Sequence, residues 1–464
     1  MARIFGHYVP KYLMVLGVVE LVCLYSSVFI GVFLRFFGFP TDEALHPDVL
    51  WPKALSYSLV CFFTLIAMGL YQRDLRDNYT QVLFRLFLSF AVALSLLVLF
   101  FYLVPDLFIG RGALALALLT ALLLLALSRW LAFALTSRAT LKKKVIILGA
   151  GNKSTEILKL RRKTDWQEYA LLGFLPIASE PVTINDARLL STDKGIFGWV
   201  KGLGADEVVV SNEGNLDAGD IKELVECKMA GVRVTPLGEF YERLTGKVSV
   251  DIIAGHRMVF LDGFHRSPFR RTSKRMFDIL TSSGLLLLAV PVMLITAILI
   301  KRESGWRSPV IYSQCRVGKN DQPFTIYKFR SMVENAETNG AQWASREDAR
   351  ITRVGHFIRK TRVDELPQLW NVLRGDMSFV GPRPERPEFV AELNQEIPFY
   401  DMRHRVKPGI TGWAQVRYPY GDNYEAARQK LQFDLYYIKN YSTFLDFNIL
   451  LQTAQVILFQ KGSR

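Results

Sequence analysis

Four long apolar stretches open the chain, roughly Tyr12 to Leu34, Ala54 to Leu70, Leu86 to Leu103 and Ala113 to Leu135. Each approaches the ~20 residues a helix needs to cross a ~30 Å hydrocarbon layer, which predicts a four-helix transmembrane domain. We assign it residues 1–140. The first run ends in Arg35 without a small-residue cleavage site, so it is expected to remain as a helix rather than leave as a signal peptide. At Lys144 the pattern shortens. An apolar strand, Val145 to Leu148, runs into Gly149-Ala150-Gly151-Asn152-Lys153-Ser154, and short apolar runs recur at Leu171 to Leu175, Glu207 to Val210 and Val232 to Pro236, with helical stretches between. That alternation predicts a small doubly wound, Rossmann-like α/β domain over 141–265. The third domain, 266–464, begins with a fifth apolar run, Ile279 to Ile300, and turns polar and rich in Arg, Gly, Pro and Asp from Ser308. Near its end Phe444 to Phe459 predicts a helix packed on the domain or lying against a membrane interface.

Charge orients these segments. Arg3 and Lys11 precede the first run, Arg73, Arg76 and Arg85 separate the second from the third, and Arg138 with Lys142 to Lys144 follows the fourth. Positive residues prefer the cytoplasmic side, so both ends of the bundle are expected there. Asp42, Glu43 and Asp48 fit the outer loop, although Arg35, Lys53 and Arg111 share that side. Glu20, inside the first run, is either a functional carboxylate or one paired between helices. The fifth run is basic on both flanks, with Arg266, Arg270, Arg271, Lys274 and Arg275 before it and Lys301, Arg302 and Arg307 after. A spanning helix would strand one cluster outside, and Pro291 in mid-run removes a helical hydrogen bond. Both facts favour a re-entrant helix-break-helix over about 276–301, with Thr281, Ser282 and Ser283 covering the freed carbonyls. The alternative is a proline-kinked fifth span.

Half of the 464 residues are apolar, which suits a membrane protein, and the net charge of +14 suits nucleic acid, an anionic leaflet or a phosphorylated substrate. Cys23, Cys61, Cys227 and Cys315 lie too far apart for a zinc motif and are expected to be free thiols. The glycine loop at 149–154 has Ser154 where a dinucleotide motif carries its third glycine, and the second strand leads into Pro176 rather than an acidic ribose ligand. A structural or regulatory domain is therefore the preferred reading, ahead of a working nucleotide site.

Chemistry concentrates in the third domain. Lys328-Phe329-Arg330-Ser331-Met332, Arg359-Lys360-Thr361-Arg362-Val363-Asp364-Glu365-Leu366-Pro367-Gln368 and Gly375 to Glu385 interleave cations and carboxylates among Gly-Pro turns. Cleaving a pyrophosphate needs cations on phosphate oxygens, usually a magnesium ion held by one or two carboxylates, and a placed nucleophile. A carboxylate can itself attack phosphorus and divide one transfer into two steps. Lys328, Arg330, Arg359 and Arg383 are the cationic candidates here. Arg403 to Arg417 repeats the theme: Gly409 and Gly412 permit close backbone approach to an anion, Arg405, Lys407 and Arg417 are candidate diphosphate ligands, and Trp413 is either a base-stacking ring or core.

From Lys274 onward the chain closely resembles the bacterial sugar transferase family, the monotopic phosphoglycosyl transferases. The resemblance rests on KFRSM, TRVDELPQLWNVLRGDMSFVGPRP, VKPGITGWAQV and DLYYIKNYS. The four-helix start and Rossmann-like middle resemble the large members, which initiate exopolysaccharide, capsule or O-antigen synthesis, and GPRPERPEFV with YPYG resembles the exosortase-associated subgroup. The resemblance implies an enzyme of the bacterial inner membrane with its catalytic domain on the cytoplasmic face. It implies transfer of hexose-1-phosphate, with glucose or galactose favoured, from a UDP-sugar to undecaprenyl phosphate with release of UMP. Asp364 would attack the sugar-bearing phosphorus, Glu365 would help it hold Mg2+, and Lys328, Arg359 and Arg383 would lie near the phosphates. Arg417 precedes Tyr-Pro-Tyr where many relatives have Asn-Gly-Arg, and Val290-Pro291 replaces the family's Ser-Pro. A homodimer is expected from the large N-terminal attachment.

Three rivals fare worse. A membrane-tethered nucleotide-sugar dehydratase needs Tyr-x-x-x-Lys, which is absent, and a metal-dependent glycosyltransferase commonly uses Asp-x-Asp, also absent. A nucleic-acid module would carry its cations as a stripe, whereas here they alternate with carboxylates and glycines, so no nucleic-acid partner is expected.

Overall fold

The computed structural model describes residues 2–4, 7–9, 11–37, 47–71, 79–136, 142–160, 166, 168–178, 180–184, 188–252, 268–334, 350–418 and 423–459. Asp42, Glu43, Arg73, Arg76, Arg138, Arg266 and the Pro419-Tyr420-Gly421 part of the variant loop lie outside them. Beyond the first few residues, contacts divide the chain into two units between Phe240 and Tyr241.

After two three-residue strands, β1 (Ala2–Ile4) and β2 (His7–Val9), the first unit holds four helices, α1 (Lys11–Arg35), α2 (Pro47–Ala67), α3 (Tyr79–Leu103) and α4 (Arg111–Thr136). Each contributes one stripe at three- to four-residue spacing to a common core: Leu24, Val28 and Val32; Tyr57, Cys61 and Leu65; Leu86, Phe90, Ala93 and Leu97; Ala117, Ala121 and Leu125. The opposite faces stay apolar and exposed, as at Val18, Phe87 and Leu123, which is what helices bathed in hydrocarbon require. A side chain at Gly31 would sit 2.6 Å from the Ala117 nitrogen, so glycine lets α1 lie directly on α4. Arg85, read as a loop residue, is inside α3. Glu20 proves paired rather than free: it is fully buried, its Oε1 is 2.7 Å from Arg129 Nε, and it accepts hydrogen bonds from Arg129 Nη2 and the Tyr71 hydroxyl.

The same unit carries a parallel sheet of β3 (Lys143–Leu148), β4 (Tyr169–Leu175), β5 (Glu207–Val210) and β6 (Arg233–Pro236), ordered β4-β3-β5-β6. Helices α5 (Asn152–Leu158), α6 (Gly195–Leu203) and α7 (Ala218–Met229) connect the strands. α8 (Leu237–Thr245) contains the boundary between units. Residues 241–252, read with the middle domain, group instead with the second unit: Glu242 accepts from Lys439 and Asn440, and Val248 N donates to Gln432 O.

After residues 241–252 the second unit continues with α9 (Pro268–Ser304), so most of the expected basic linker forms its first turns. α9 is continuous through Pro291, and the two-helix break expected there is not observed. One missing N–H leaves enough neighbouring hydrogen bonds to carry a helix onward. Ser282 Oγ is buried without a hydrogen-bond partner, so it does not cover the freed carbonyl. Both ends of α9 grip the rest of the unit. Arg275 donates to the carbonyls of Val372 and Leu373 at 2.6 Å each, Lys274 pairs with Asp278 and Asp446, and Glu303 accepts from the amides of Arg353 and Val354. Leu280, Leu287, Leu288 and Leu294 in the middle are exposed.

Beyond α9 lie an antiparallel pair, β7 (Ile311–Val317) and β8 (Pro323–Phe329), then α10 (Arg353–Lys360), α11 (Gln368–Arg374), β9 (Ser378–Val380), α12 (Pro387–Glu396), β10 (Gly409–Thr411), α13 (Trp413–Arg417), α14 (Tyr424–Lys439) and α15 (Thr443–Phe459). β9 and β10 pair in parallel. The core gathers around α14, whose Leu431, Leu435, Tyr436 and Tyr437 are buried with Val380, Trp413, Leu445 and Ile449, so α15 packs on the domain. Among the described residues five helices, α1 to α4 and α9, are long and apolar enough to cross a membrane.

Candidate functional site

Arg362 takes the left-handed backbone conformation, φ 60°, and turns the chain from α10 into a single 3-10 turn, Val363–Glu365. Val363 and Leu366, on either side of the two acidic residues, join an apolar cluster with Met293 and Ile300 of α9 and with Phe329 and Ile358. The turn therefore shares one apolar cluster with that helix while its carboxylates point among cations. Asn371, fully buried in α11, bonds the Tyr327 nitrogen and the Thr325 carbonyl, which fixes β8 and thus Lys328 beside the turn.

Among the described residues three cations converge on Glu365 Oε1: Arg383 Nη2 at 2.9 Å, Lys328 Nζ at 3.4 Å and Arg362 Nη1 at 3.9 Å. Burial alone would raise the Glu365 pKa, but these charges outweigh it and hold the group well below the usual carboxylate range. Burial likewise lowers Lys328, against the opposing pull of Glu365. Asp364 goes the other way, pushed up to about 6 by burial and next by the negative charge of Glu365. Its Oδ1 is buried without a hydrogen-bond partner. Two adjacent carboxylates thus diverge: one is held charged by the cations around it, the other keeps an oxygen without a hydrogen-bond partner. Arg316, Lys328, Gln368 and Arg383 line a small recess here.

Arg383 reaches the site from the Gly381-Pro382-Arg383-Pro384 loop. A Cβ at Gly381 would lie 2.4 Å from Lys407 O, one at Gly409 2.1 Å from Gly381 N, and one at Gly412 2.2 Å from Gly381 O. The glycines of the 409–412 segment, expected to face an anion, instead allow two loops to touch backbone to backbone.

The other expected residues are dispersed. Arg330 pairs with Glu334 at 2.8 Å, and both Arg330 Nη2 and Arg359 Nη1 are buried without hydrogen-bond partners. Arg405 is exposed. Lys407 is half-buried near Gly375, with its pKa lowered by burial and then by Arg275. Arg417 lies 4.7 Å over the Trp413 ring. That ring is core, not a base platform: it is buried, bonded to Gly246 O and stacked on Tyr436. Arg362, Arg403 and Asp434 lie within the quoted segments without being singled out there, and Arg316 carries no local signal.

In the middle domain the space above the glycine loop is filled from within. A Cβ at Gly151 would meet Glu180 Oε1 at 2.3 Å, and one at Gly149 would meet Ser211 Oγ at 1.8 Å. These side chains sit where β3 and β5 end, the switch point at which such sheets receive a phosphate. The glycines make room for Glu180 and Ser211, which agrees with a structural reading.

Motifs, fold and carboxylate geometry can now be set against known proteins. The bacterial sugar transferase profile matches residues 269–460. The UDP-N-acetylgalactosamine-undecaprenyl-phosphate N-acetylgalactosaminephosphotransferase of Aeromonas hydrophila is 44% identical over 301 residues, covering 64% of this chain and 68% of that protein. The chain belongs to the bacterial sugar transferase family. The undecaprenyl-phosphate galactose phosphotransferase of Salmonella typhimurium strain LT2 is 31% identical over 342 residues, 69% of each chain. The UDP-glucose:undecaprenyl-phosphate glucose-1-phosphate transferase of Escherichia coli K12 is 41% identical over 190 residues, 40% of each. The first two matches are longer than the second unit, so likeness to this family extends upstream of the carboxylate site.

Proposed function

We propose that this chain transfers a sugar-1-phosphate from a UDP-sugar to undecaprenyl phosphate at the cytoplasmic face of the bacterial inner membrane. The observation that carries the reading is the Asp364 carboxyl, buried beside a Glu365 that absorbs three cations, with its own Oδ1 left unengaged. An Asp364 oxygen attacks the sugar-bearing phosphorus of the donor. The bond from that phosphorus to the bridging oxygen breaks, and UMP leaves with the bridging oxygen. A phosphate oxygen of undecaprenyl phosphate then attacks the same phosphorus, forming the lipid pyrophosphate and returning the Asp364 carboxylate. Arg383 and Lys328 face the phosphate oxygens and offset the charge that gathers there.

Mg2+ commonly binds one or two carboxylates plus substrate phosphates, so the absence of a third acidic or His/Cys ligand among the described residues does not count against it. The free Oδ1 of Asp364 fits such an ion, with Glu365 as the second ligand, and the ion would supply charge neutralisation on the diphosphate. Anchoring of both ends of α9 on one unit supports a helix that bends at Pro291 without ending there, and so enters and leaves on the cytoplasmic side. The donor sugar is a hexose or N-acetylhexosamine. UDP-glucose and UDP-galactose are joined by UDP-N-acetylgalactosamine through the Aeromonas relative. Incubating the purified protein with these three donors and undecaprenyl phosphate should release UMP; release of UDP would instead indicate glycosyl transfer. Asp364→Asn should abolish turnover without lowering the unfolding temperature, because a carboxamide cannot form the acyl phosphate, and turnover by that variant would end the covalent mechanism.

A further inference from the structure

The loop that presents Arg383 is held at four consecutive carbonyls. Pro382 O accepts from Gly409 N at 2.9 Å, Arg383 O from Arg403 Nη2 at 2.9 Å, Pro384 O from Arg316 Nη1 at 3.2 Å, and Glu385 O from Val317 N at 3.0 Å. Pro382 and Pro384 have no N–H, so the loop cannot organise itself by its own ladder and depends on donors from elsewhere. Arg403 is the unusual donor. It is 5% exposed, and its remaining contacts are internal: Nη2 lies 3.0 Å from Asp434 Oδ2, Nη1 donates to the Tyr400 hydroxyl, and the guanidinium sits over the Tyr400 ring. The Arg383 side chain, by contrast, is nearly one-third exposed. A long half-solvated side chain meets a partner reliably only if its backbone is fixed.

Resting on the reaction centre assigned above, we propose that Arg403, seated on Asp434, is a positioning residue that locks the Arg383 backbone so that its guanidinium stays on Glu365. Arg403 touches neither carboxylate of the centre and acts through Arg383. A plain core ion pair would contribute stability alone. A positioning role also makes the loss depend on Arg383, the side chain through which Arg403 acts.

The test is the Arg403→Met/Asp434→Leu double variant of the full chain in lipid nanodiscs, which removes the buried pair without leaving either charge alone. With the UDP-sugar that the wild type turns over, kcat/KM for UMP release should fall by about ten- to a hundredfold, the loss expected of a misplaced catalytic group. The same two substitutions added to Arg383→Met should cost no more than about twofold further, because the side chain they position is already gone, while the unfolding temperature stays within a few degrees. A folded double variant with wild-type kcat/KM, or one whose loss is as large in the Arg383→Met background, overturns the proposal. If the double variant does not fold, Arg403→Gln is put through the same two measurements with the same criteria. Asp364→Asn is run beside them: turnover there sinks the assigned centre itself, whereas an inactive Asp364→Asn with an unaffected Arg403 variant sinks only the positioning role.

Discussion

A nucleophilic Asp364 must be ionised, and its surroundings oppose ionisation, so activity should fall on mild acidification. Burial comes first and the charge of Glu365 second, and together they lift the group from the ordinary value of 3.8 to about 6. At pH 5 about one molecule in ten would carry the reactive carboxylate, against more than nine in ten for an unperturbed aspartate. The wild-type kcat/KM for UMP release should therefore drop about tenfold between pH 7.5 and 5. Glu365→Gln removes the neighbouring negative charge and leaves Lys328, Arg362 and Arg383 acting on Asp364 alone. Both effects favour the carboxylate, so the midpoint should move to lower pH, whatever happens to the maximal rate. The assay is single-turnover UMP release across pH 4.5 to 8.5, with unfolding temperature followed at each pH to separate titration from denaturation. A flat profile between pH 5 and 7.5, or a midpoint that rises in Glu365→Gln, would refute the reasoning.

Glu20→Leu should cost roughly 3–5 kcal/mol by leaving Arg129 buried and unpaired, while Glu20→Leu/Arg129→Met should lie close to wild type; thermal unfolding in nanodiscs measures both. Equal losses in the two variants would show that the pair is not the relevant unit. Gly151→Ala should lower stability by about 1–3 kcal/mol through collision with the Glu180 carboxylate, and Gly151→Ala/Glu180→Ala should recover most of the loss. Reporters fused after Lys144 and after Arg464 should both report the cytoplasm, and opposite locations would rule out a re-entrant α9.

The four membrane helices and the parallel sheet were legible because each rests on a local period: twenty-residue apolar runs in one case, short apolar strands punctuated by glycine in the other. Asp364, Glu365, Lys328 and Arg383 were legible because cations and carboxylates cluster within short motifs. What escaped depends on pairings distant in the chain. Arg129 answers Glu20 across 109 positions, and Lys274 meets Val380 across 106. Pattern reading left Trp413 open between base platform and core and took the 409–412 glycines for anion contacts, because an aromatic ring or a missing side chain looks the same in sequence whether it faces a nucleotide or another loop. Pro291 misled in a related way: its lost hydrogen bond is real, but a helix flanked by intact turns absorbs it.

Because Val363 and Leu366 share one apolar cluster with Ile300 of α9, the carboxylate turn is coupled to that helix. On the function proposed above, whatever sets the depth of α9 in the bilayer, such as acyl-chain length or the thickness of the host leaflet, would also set how far a lipid phosphate must rise to meet Asp364. Lipid composition would then tune turnover without any ligand binding to the protein.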